Sequence, residues 1–248
     1  MSIQVIKALV DAGDIEAVWS TLTVEMEKYG FDRLLYGFTR FRTPTSLGNR
    51  EDMMVLTNHA NEYVTEFFDY KVFRVAPMVQ WASENTGAMS WRWMAENFDN
   101  LTPEQHDVLE LNKRFDVTCG YTISFPDSSS RQKAAIALTA RADMTQTEVD
   151  YIWEKHGEEI DLVNQIAHLK LASLPFPEAL KRLSGRQKEV LEWVSDGKTT
   201  QDIADIMGLT AATVEKHLRK ARESLQVDTT AQAVMKASLQ RQIFVLGT

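Results

Sequence analysis

The sequence predicts a mixed α+β protein of two domains: an N-terminal α-β-α sandwich around an antiparallel sheet, and an all-α C-terminal domain of four helices. Residues 1–172 alternate amphipathic helical segments with short strand-like segments, Pro175 and Pro177 follow the last long helix, and residues 183–248 show helical periodicity. The length of 248 residues also exceeds the usual size of one domain. We therefore expect a first domain over residues 1–172, a linker over 173–182 and a second domain over 183–248.

The helices and strands of the first domain are predicted from the spacing of its apolar residues. Its first helix has Ile15, Leu22 and Met26 on one face, as an amphipathic helix requires. The same spacing predicts helices over residues 14–29, 61–70, 103–115 and 145–171. Strands are predicted over residues 34–41, 53–57, 119–125 and 133–140, and the last two form a hairpin around the serines at 128–130.

The second domain is predicted to contain four short helices with recognisable ends. They are expected over residues 184–196, 200–207, 210–225 and 230–241. Ser184, Thr200 and Thr229 are assigned as N-caps because their side-chain oxygens can accept hydrogen bonds from N–H groups of the first turn. Gly197 and Gly208 are expected to end the first two helices, because glycine readily adopts the left-handed conformation found there.

The two helices joined at Gly208 are predicted to form a helix-turn-helix. The second of them turns Val214, Leu218 and Ala221 inward. That orientation leaves a polar outward face of Thr213, Glu215, Lys216, Arg219, Lys220 and Arg222. Such side chains suit a DNA groove and its phosphates, so the domain is predicted to bind double-stranded DNA. The residues predicted to contact DNA are Lys198, Thr199, Thr200, Thr213, Lys216, Arg219 and Arg222.

Charge is distributed unevenly along the chain. The net charge is −8, but the first 177 residues hold 16 Lys and Arg against 26 Asp and Glu, whereas the remainder holds 11 against 9. The second domain is therefore mildly basic, which is compatible with DNA. One such domain should bind DNA modestly, so we expect a homodimer on an inverted-repeat site.

The composition and the residue spacing exclude several classes of protein. The single cysteine, Cys119, allows no intramolecular disulfide and no cysteine-based metal cluster. The histidines lack the spacing of metal ligands, so neither a metal nor a cofactor is predicted. The chain offers no signal peptide and no run of about eighteen apolar residues. These observations predict a soluble, cytoplasmic protein that does not associate with a membrane.

The second domain resembles the LuxR-type helix-turn-helix, also called FixJ/NarL-like. The family pattern runs from a Leu-Thr/Ser-x-Arg opening through Gly-Lys-Thr to Thr-Val-x-x-His-Leu. The matching residues are Leu183, Ser184, Arg186, Glu189, Val190, Leu191, Gly197, Lys198, Thr199, Ile203, Ala204, Thr213, Val214, His217, Leu218 and Ala221. One departure is Gln187, where the family usually has Glu; the amide can still form a hydrogen bond but carries no charge.

The first domain resembles the autoinducer-binding domain of quorum-sensing LuxR regulators. The resemblance rests on LTNHANEYVTEFF at residues 56–68, APMV at 76–79, and Ser90-Trp91. Pro77, Trp91 and Gly120 are unchanged from the family. Four positions of the family's pocket differ: His59 and Phe67 replace Tyr, Tyr63 replaces Trp, and Ala76 replaces Asp. The resemblance implies a pocket that contains His59, Tyr63, Phe67, Ala76, Trp91 and Leu138.

The residue at position 76 bears most directly on the ligand. In the family this Asp accepts the amide hydrogen of an acyl-homoserine lactone, and its loss leaves that donor unpaired at a cost of about 1 to 3 kcal/mol. An ordinary acyl-homoserine lactone is therefore disfavoured. Large rings are concentrated nearby, at Tyr63, Phe67, Phe68, Tyr70, Phe73, Trp81, Trp91, Trp93 and Phe98. They favour an aromatic or long-chain ligand.

These features predict a LuxR-type transcriptional regulator that responds to a small molecule or has become independent of a ligand. Two alternatives come from other classes of protein. An inactive sensor would pair with related regulators and block them. An enzyme acting on an acyl signal would require a nucleophile and a base in the pocket, and no catalytic residue is predicted. The family resemblance implies that dimers form through residues around Val149–Ala167 and Ala233–Ala237.

Overall fold

The computed structural model describes residues 3–43, 46–48, 50–69, 72–127, 129–175 and 183–244. Contacts divide the chain into a first unit, Met1–Ser173, and a second unit, Leu174–Thr248. Pro177 and most of the expected linker lie outside the described residues, as do Ser128 and Tyr70. None of the helices in the described ranges is long and apolar enough to cross a membrane.

The first unit is built on a five-stranded antiparallel sheet. Its strands are β1 (Phe31–Thr39), β2 (Met53–Thr57), β3 (Gly87–Ser90), β4 (Gly120–Ser124) and β5 (Lys133–Ala140), in the order β2-β1-β5-β4-β3. The predicted hairpin is confirmed, because β4 pairs with β5. β3 was missed: it is a short edge strand, and its residues show neither apolar alternation nor full burial.

Helices cover both faces of this sheet, which confirms the α-β-α sandwich. They are α1 (Ile3–Asp11), α2 (Ile15–Glu27), α3 (Asn61–Asp69), α4 (Pro77–Glu84), α5 (Arg92–Glu96), α6 (Pro103–Arg114) and α7 (Gln146–Ser173). α1, α2 and α7 pack together on one face, and α4 contacts β4 and β5 from the other. The sequence prediction omitted α1, α4 and α5, which span 9, 8 and 5 residues respectively.

Successive residues of β1 point to opposite faces of the sheet. Tyr36 and Phe38 point toward α7, where the Tyr36 hydroxyl lies 2.9 Å from Nδ1 of His168 and the Phe38 ring meets the His168 ring edge-on at 5.6 Å. Leu35 and Gly37 face the other side and line cavities between the sheet and helices α3 and α4. The sheet therefore separates the residues that pack against α7 from those that line the cavities beside α3 and α4.

The second unit contains the four expected helices, α8 (Gly185–Ser195), α9 (Thr200–Met207), α10 (Ala211–Leu225) and α11 (Thr230–Leu239). Gly208 adopts the left-handed conformation, with φ of 64°, as the sharp turn between α9 and α10 requires. Ser184 caps α8, and Gln187 completes the capping box, because its Oε1 accepts a hydrogen bond of 2.7 Å from the Ser184 N–H. The amide therefore replaces the family's Glu without loss of this bond.

One predicted cap was wrong. Thr199, not Thr200, is the N-cap of α9, and its side chain accepts a hydrogen bond from the N–H of Asp202. Asp202 completes a capping box by accepting from the Thr199 N–H at 2.9 Å. The acid three residues beyond Thr199 therefore decides between two adjacent threonines that are equally good caps by themselves.

Candidate functional site

Two adjoining cavities lie between the sheet and helices α3 and α4. The larger, about 120 Å³, is called the apolar chamber and is lined by residues such as Met53, Phe68 and Phe73. The smaller, about 70 Å³, is called the polar chamber and contains the side chains of Tyr63 and Asn112. The two share the wall residues Leu35, Phe67, Met78, Val79 and Ala137. Each exceeds the roughly 10 to 15 Å³ that one water molecule needs. Because they share these wall residues, the two chambers are together called the two-part pocket.

Tyr63 lines the polar chamber and has defined contacts there. Its hydroxyl donates a hydrogen bond of 2.9 Å to Oδ1 of Asn112 on α6. Its ring stacks on Phe67, with 5.4 Å between the centroids and 17° between the planes, and lies 4.9 Å from the ring of His59. Burial raises the pKa of Tyr63, so the phenol is neutral. The position at which the family has Trp therefore supplies a fixed hydroxyl.

His59 is buried against the sheet, with 8% of its surface exposed. Its Nε2 lies 3.4 Å from Oγ1 of Thr139 on β5. Burial, assisted by the positive charge of Arg33, lowers the pKa of His59 to about 4. The imidazole is therefore uncharged at neutral pH and offers the chamber a neutral polar edge.

Trp91 and Ala76 also line the polar chamber. The indole Nε1 of Trp91 donates to Oγ1 of Thr122 at 2.9 Å, so this N–H is committed to the sheet. Ala76 precedes α4, is 5% exposed and lines the polar chamber. Among the described residues that line this chamber there is no Asp or Glu. Its polar groups are all neutral, and most are paired with one another.

Five of the six residues predicted to bind ligand line the polar chamber: His59, Tyr63, Phe67, Ala76 and Trp91. Their role in binding remains a prediction. Leu138 was placed wrongly. It is fully buried and pairs with Leu34 and Tyr121, and the Tyr121 ring stacks on Trp153 of α7 at 4.0 Å. Since side chains alternate along a strand, Leu138 faces α7 and cannot reach the chamber.

The residues of β5 that do line the polar chamber are Ala137 and Thr139, the two neighbours of Leu138. The family pattern identified this strand but not which of its faces meets the pocket. Asn112 was also missed, because one polar residue on an amphipathic helix gives no signal of its own. Not all of the predicted rings belong to the pocket: Phe98 is 51% exposed and packs against His106.

The second candidate site is the outward face of α10. Val214, Leu218, Ala221 and Leu225 are buried, as predicted, whereas Lys216 and Arg219 are exposed. Nη1 of Arg219 pairs with Oε1 of Glu223 at 3.0 Å, and both side chains are well exposed. Such an exposed pair contributes little stability, so Arg219 is available to an incoming phosphate or base.

Arg222, Thr199 and Thr200 are more constrained than the sequence suggested. Arg222 is half-buried and donates from Nη1 to Oγ1 of Thr230 at 2.9 Å. The hydroxyls of Thr199 and Thr200 donate to carboxylates, Asp202 at 2.8 Å and Glu215 at 2.9 Å respectively. A phosphate only accepts hydrogen bonds, so a direct phosphate contact by either hydroxyl would require breaking one of these bonds.

The two helix segments expected to form the dimer contact bury their apolar stripes within their own units. Val149, Ile160, Val163 and Ala167 are buried on α7, and Ala233 and Ala237 are buried on α11. Any contact between copies along these helices must therefore use other residues. The large apolar side chains exposed there are Tyr151, Leu162 and Leu169 on α7 and Met235 on α11.

We predict that Arg219→Ala weakens DNA binding by at least about 1 kcal/mol, because it removes an exposed cation from the face that would meet the duplex. The helix should remain folded, since its buried stripe is untouched. Arg186→Ala is the matched control, because Arg186 forms a similarly exposed ion pair with Glu189 on α8, at 2.7 Å. The measurement is a mobility-shift titration. Equal affinities of the parent and the Arg219→Ala variant would exclude Arg219 from the interface.

The chain matches two models of known protein families. Residues 14–171 match the autoinducer binding domain, and residues 181–237 match the luxR family of bacterial regulatory proteins. The chain is also 25% identical over 224 residues to the transcriptional activator protein ExpR of Dickeya dadantii (strain 3937), over 85% of this chain and 84% of that protein.

Two solved structures share the fold over nearly the full length. A crystal structure of Escherichia coli SdiA has a TM-score of 0.55 and 16% identity, with 98% of each chain covered. A structure of SdiA in complex with octanoyl-rac-glycerol has a TM-score of 0.54 and 16% identity, with 96% of this chain and 93% of that chain covered.

Proposed function

This chain belongs to the LuxR family of transcriptional regulators that carry an autoinducer-binding domain, and we propose that its own signal is a neutral small molecule other than an ordinary acyl-homoserine lactone. In this proposal the chain acts in the cytoplasm as a homodimer. The dimer binds an inverted-repeat DNA site through α10, and the two-part pocket controls it.

The observation that carries the proposal is the chemistry of the polar chamber. Ala76 provides no acceptor for the amide hydrogen of a lactone signal, and no described lining residue supplies a carboxylate in its place. An amide buried without an acceptor costs about 1 to 3 kcal/mol, which is a loss of roughly 5- to 150-fold in affinity. The indole N–H of Trp91 is already bonded to Thr122. These features favour a ligand without an amide.

The two chambers together favour a neutral amphiphile. The apolar chamber suits a hydrocarbon chain or an aromatic ring, whereas Tyr63, Asn112 and neutral His59 suit a hydroxyl or ester group. An ionic headgroup would be buried without a counter-charge, which is unfavourable. The octanoyl glycerol bound in the SdiA structure is a molecule of this neutral, amide-free class, and it supports the choice of a monoacylglycerol as a probe.

Restoring the carboxylate at position 76 should restore lactone binding. We predict that Ala76→Asp raises the affinity for acyl-homoserine lactones by about tenfold or more, because the amide hydrogen regains a charged acceptor. Thermal-shift titrations with lactones of several chain lengths and with a monoacylglycerol would measure the change in both proteins.

Ala76→Asn is the matched control. Asn fills a similar volume to Asp without its charge, so this variant should gain less affinity for the lactones than Ala76→Asp. Urea unfolding of each variant separates altered binding from altered folding, because an unpaired carboxylate among aromatic rings also destabilises the fold. Strong stabilisation of the parent protein by an ordinary acyl-homoserine lactone would contradict the proposed ligand class.

The exposed cations of α10 support DNA binding over the antagonist alternative. A protein that only pairs with related regulators has no need of Lys216 and Arg219 on an open helix face. Salt-dependent binding of the purified chain to duplex DNA supports the regulator; sequestration of a related regulator without DNA binding supports the antagonist. Incubating the protein with lactones and measuring hydrolysis tests the enzyme alternative.

A further inference from the structure

A hydrogen bond joins the two helices of the helix-turn-helix on its exposed side. Thr200, the first residue of α9, donates from Oγ1 to Oε1 of Glu215 on α10 at 2.9 Å. Thr200 is half-buried, whereas Glu215 is exposed. The bond therefore holds an acidic side chain in a defined position on the surface instead of leaving it free in solvent.

Glu215 lies on the part of α10 that would approach the bases. A recognition helix contacts base edges with its N-terminal residues, and Glu215 falls within the first two turns of α10, which begins at Ala211. It precedes Arg219 by four positions and therefore shares its face. In the segment AATVEKH, residues 211–217, it is the sole acidic residue.

A carboxylate in this position cannot contribute to phosphate binding, because phosphate is also negative and offers no donor. In the major groove a carboxylate can accept a hydrogen bond from the amino group of a base. The pairing typical of Glu is with N4 of cytosine. Guanine and thymine present acceptors there, which would repel it. The same group therefore favours one base and disfavours others.

We propose that Glu215 is a specificity-determining residue that selects cytosine in each half-site, and that Thr200 is the residue that positions its carboxylate. The inference rests on the proposed DNA binding of this chain. It gives Thr200 a different role from the phosphate contact expected from the sequence. The hydroxyl hydrogen is used within the domain, while the second oxygen of Glu215 is left to face the groove.

The test is selection from a pool of randomised duplexes by the full chain, followed by titration of the selected duplex and its single-base variants. Glu215→Gln should lower the preference for cytosine at one position of each half-site by about fivefold or more. Thr200→Val should weaken the same preference, and Thr200→Ser, which keeps the hydroxyl, should restore it. Asp205→Asn removes one exposed negative charge from α9 and should leave the base preference unchanged.

The outcomes separate the two levels of the proposal. If the parent protein enriches no sequence, the proposed DNA binding fails and this inference fails with it. If the parent enriches a site and Glu215→Gln enriches the same site with the same discrimination, only the role of Glu215 is overturned. If Thr200→Val lowers stability but keeps the cytosine preference, the bond is merely structural and the positioning role of Thr200 is overturned.

Discussion

Gly120→Ala should destabilise the first unit by at least about 3 kcal/mol, the upper part of the range for overpacking a core. A Cβ at this position would lie 2.1 Å from the carbonyl oxygen of Leu138 and 3.1 Å from the Trp91 ring. The closest atom belongs to the backbone of the adjacent strand and cannot move aside without disturbing the pairing of β4 with β5. Gly120 also accepts a hydrogen bond from the Trp91 N–H at 3.1 Å, so the distortion should reach the polar chamber.

Gly37→Ala provides the control on the same sheet. A Cβ at Gly37 would meet no atom within 4 Å, because that residue borders the apolar chamber. It should therefore leave stability nearly unchanged. Urea unfolding followed by tryptophan fluorescence measures both variants. Equal midpoints for Gly120→Ala and the parent protein would show that the strands separate without cost, contrary to this expectation.

Lowering the pH from 7 to 4 should destabilise the first unit by several kcal/mol. Burial, together with Arg33 beside His59 and Arg40 beside His168, lowers the pKa of each histidine to about 4. In the unfolded chain a histidine titrates near its ordinary value of about 6.5. The unfolded state therefore binds more protons between about pH 4 and 6.5, so stability falls as the pH falls through that window. Each histidine contributes about 3 kcal/mol by this linkage.

A variant without one of these imidazoles should lose part of the pH dependence. In His168→Gln the amide can still bond the Tyr36 hydroxyl, whose contact with Nδ1 is 2.9 Å, but it cannot titrate. The free energy of unfolding of this variant should change about half as much between pH 6.5 and 4 as that of the parent protein. Urea unfolding at several pH values, followed by tryptophan fluorescence, measures this, because Trp19, Trp81, Trp91, Trp93 and Trp153 all lie in the first unit. If the free energy of unfolding of the variant falls with pH as steeply as that of the parent protein, the His168 ring does not cause the pH dependence of folding.

The second unit was predictable almost residue by residue, because its signals are local. Caps, glycines and the apolar stripe of α10 act within one or two turns of the helix they define. The error at Thr199 and Thr200 has a local cause too, since two adjacent threonines compete and only the bond that the Thr199 N–H donates to the Asp202 carboxylate decides between them. What the local pattern could not provide was the contact between Thr200 and Glu215, which lie fifteen residues apart in the sequence.

The first unit was predicted less completely, because its sheet depends on distant pairings. β2 and β5 were predicted with the observed bounds, since both contain continuous apolar or β-branched residues. β3 and α4 were missed: each is short, and each is stabilised by contacts that the segment itself does not reveal, such as the pairing of β3 with β4. Burial against a distant partner leaves no periodic signal in so short a segment.

The sequence alone identified the pocket residues at positions 59, 63, 67, 76 and 91. It also showed that position 76 has no carboxylate, because the sequence states which residue occupies each position. Their meeting in one chamber is a property of the fold. The face on which Leu138 lies and the pairing of Tyr63 with Asn112 were decided only when β5 and α6 took their places. The physical reason is that a shift of one residue along a strand exchanges its two faces, and only tertiary packing fixes that choice.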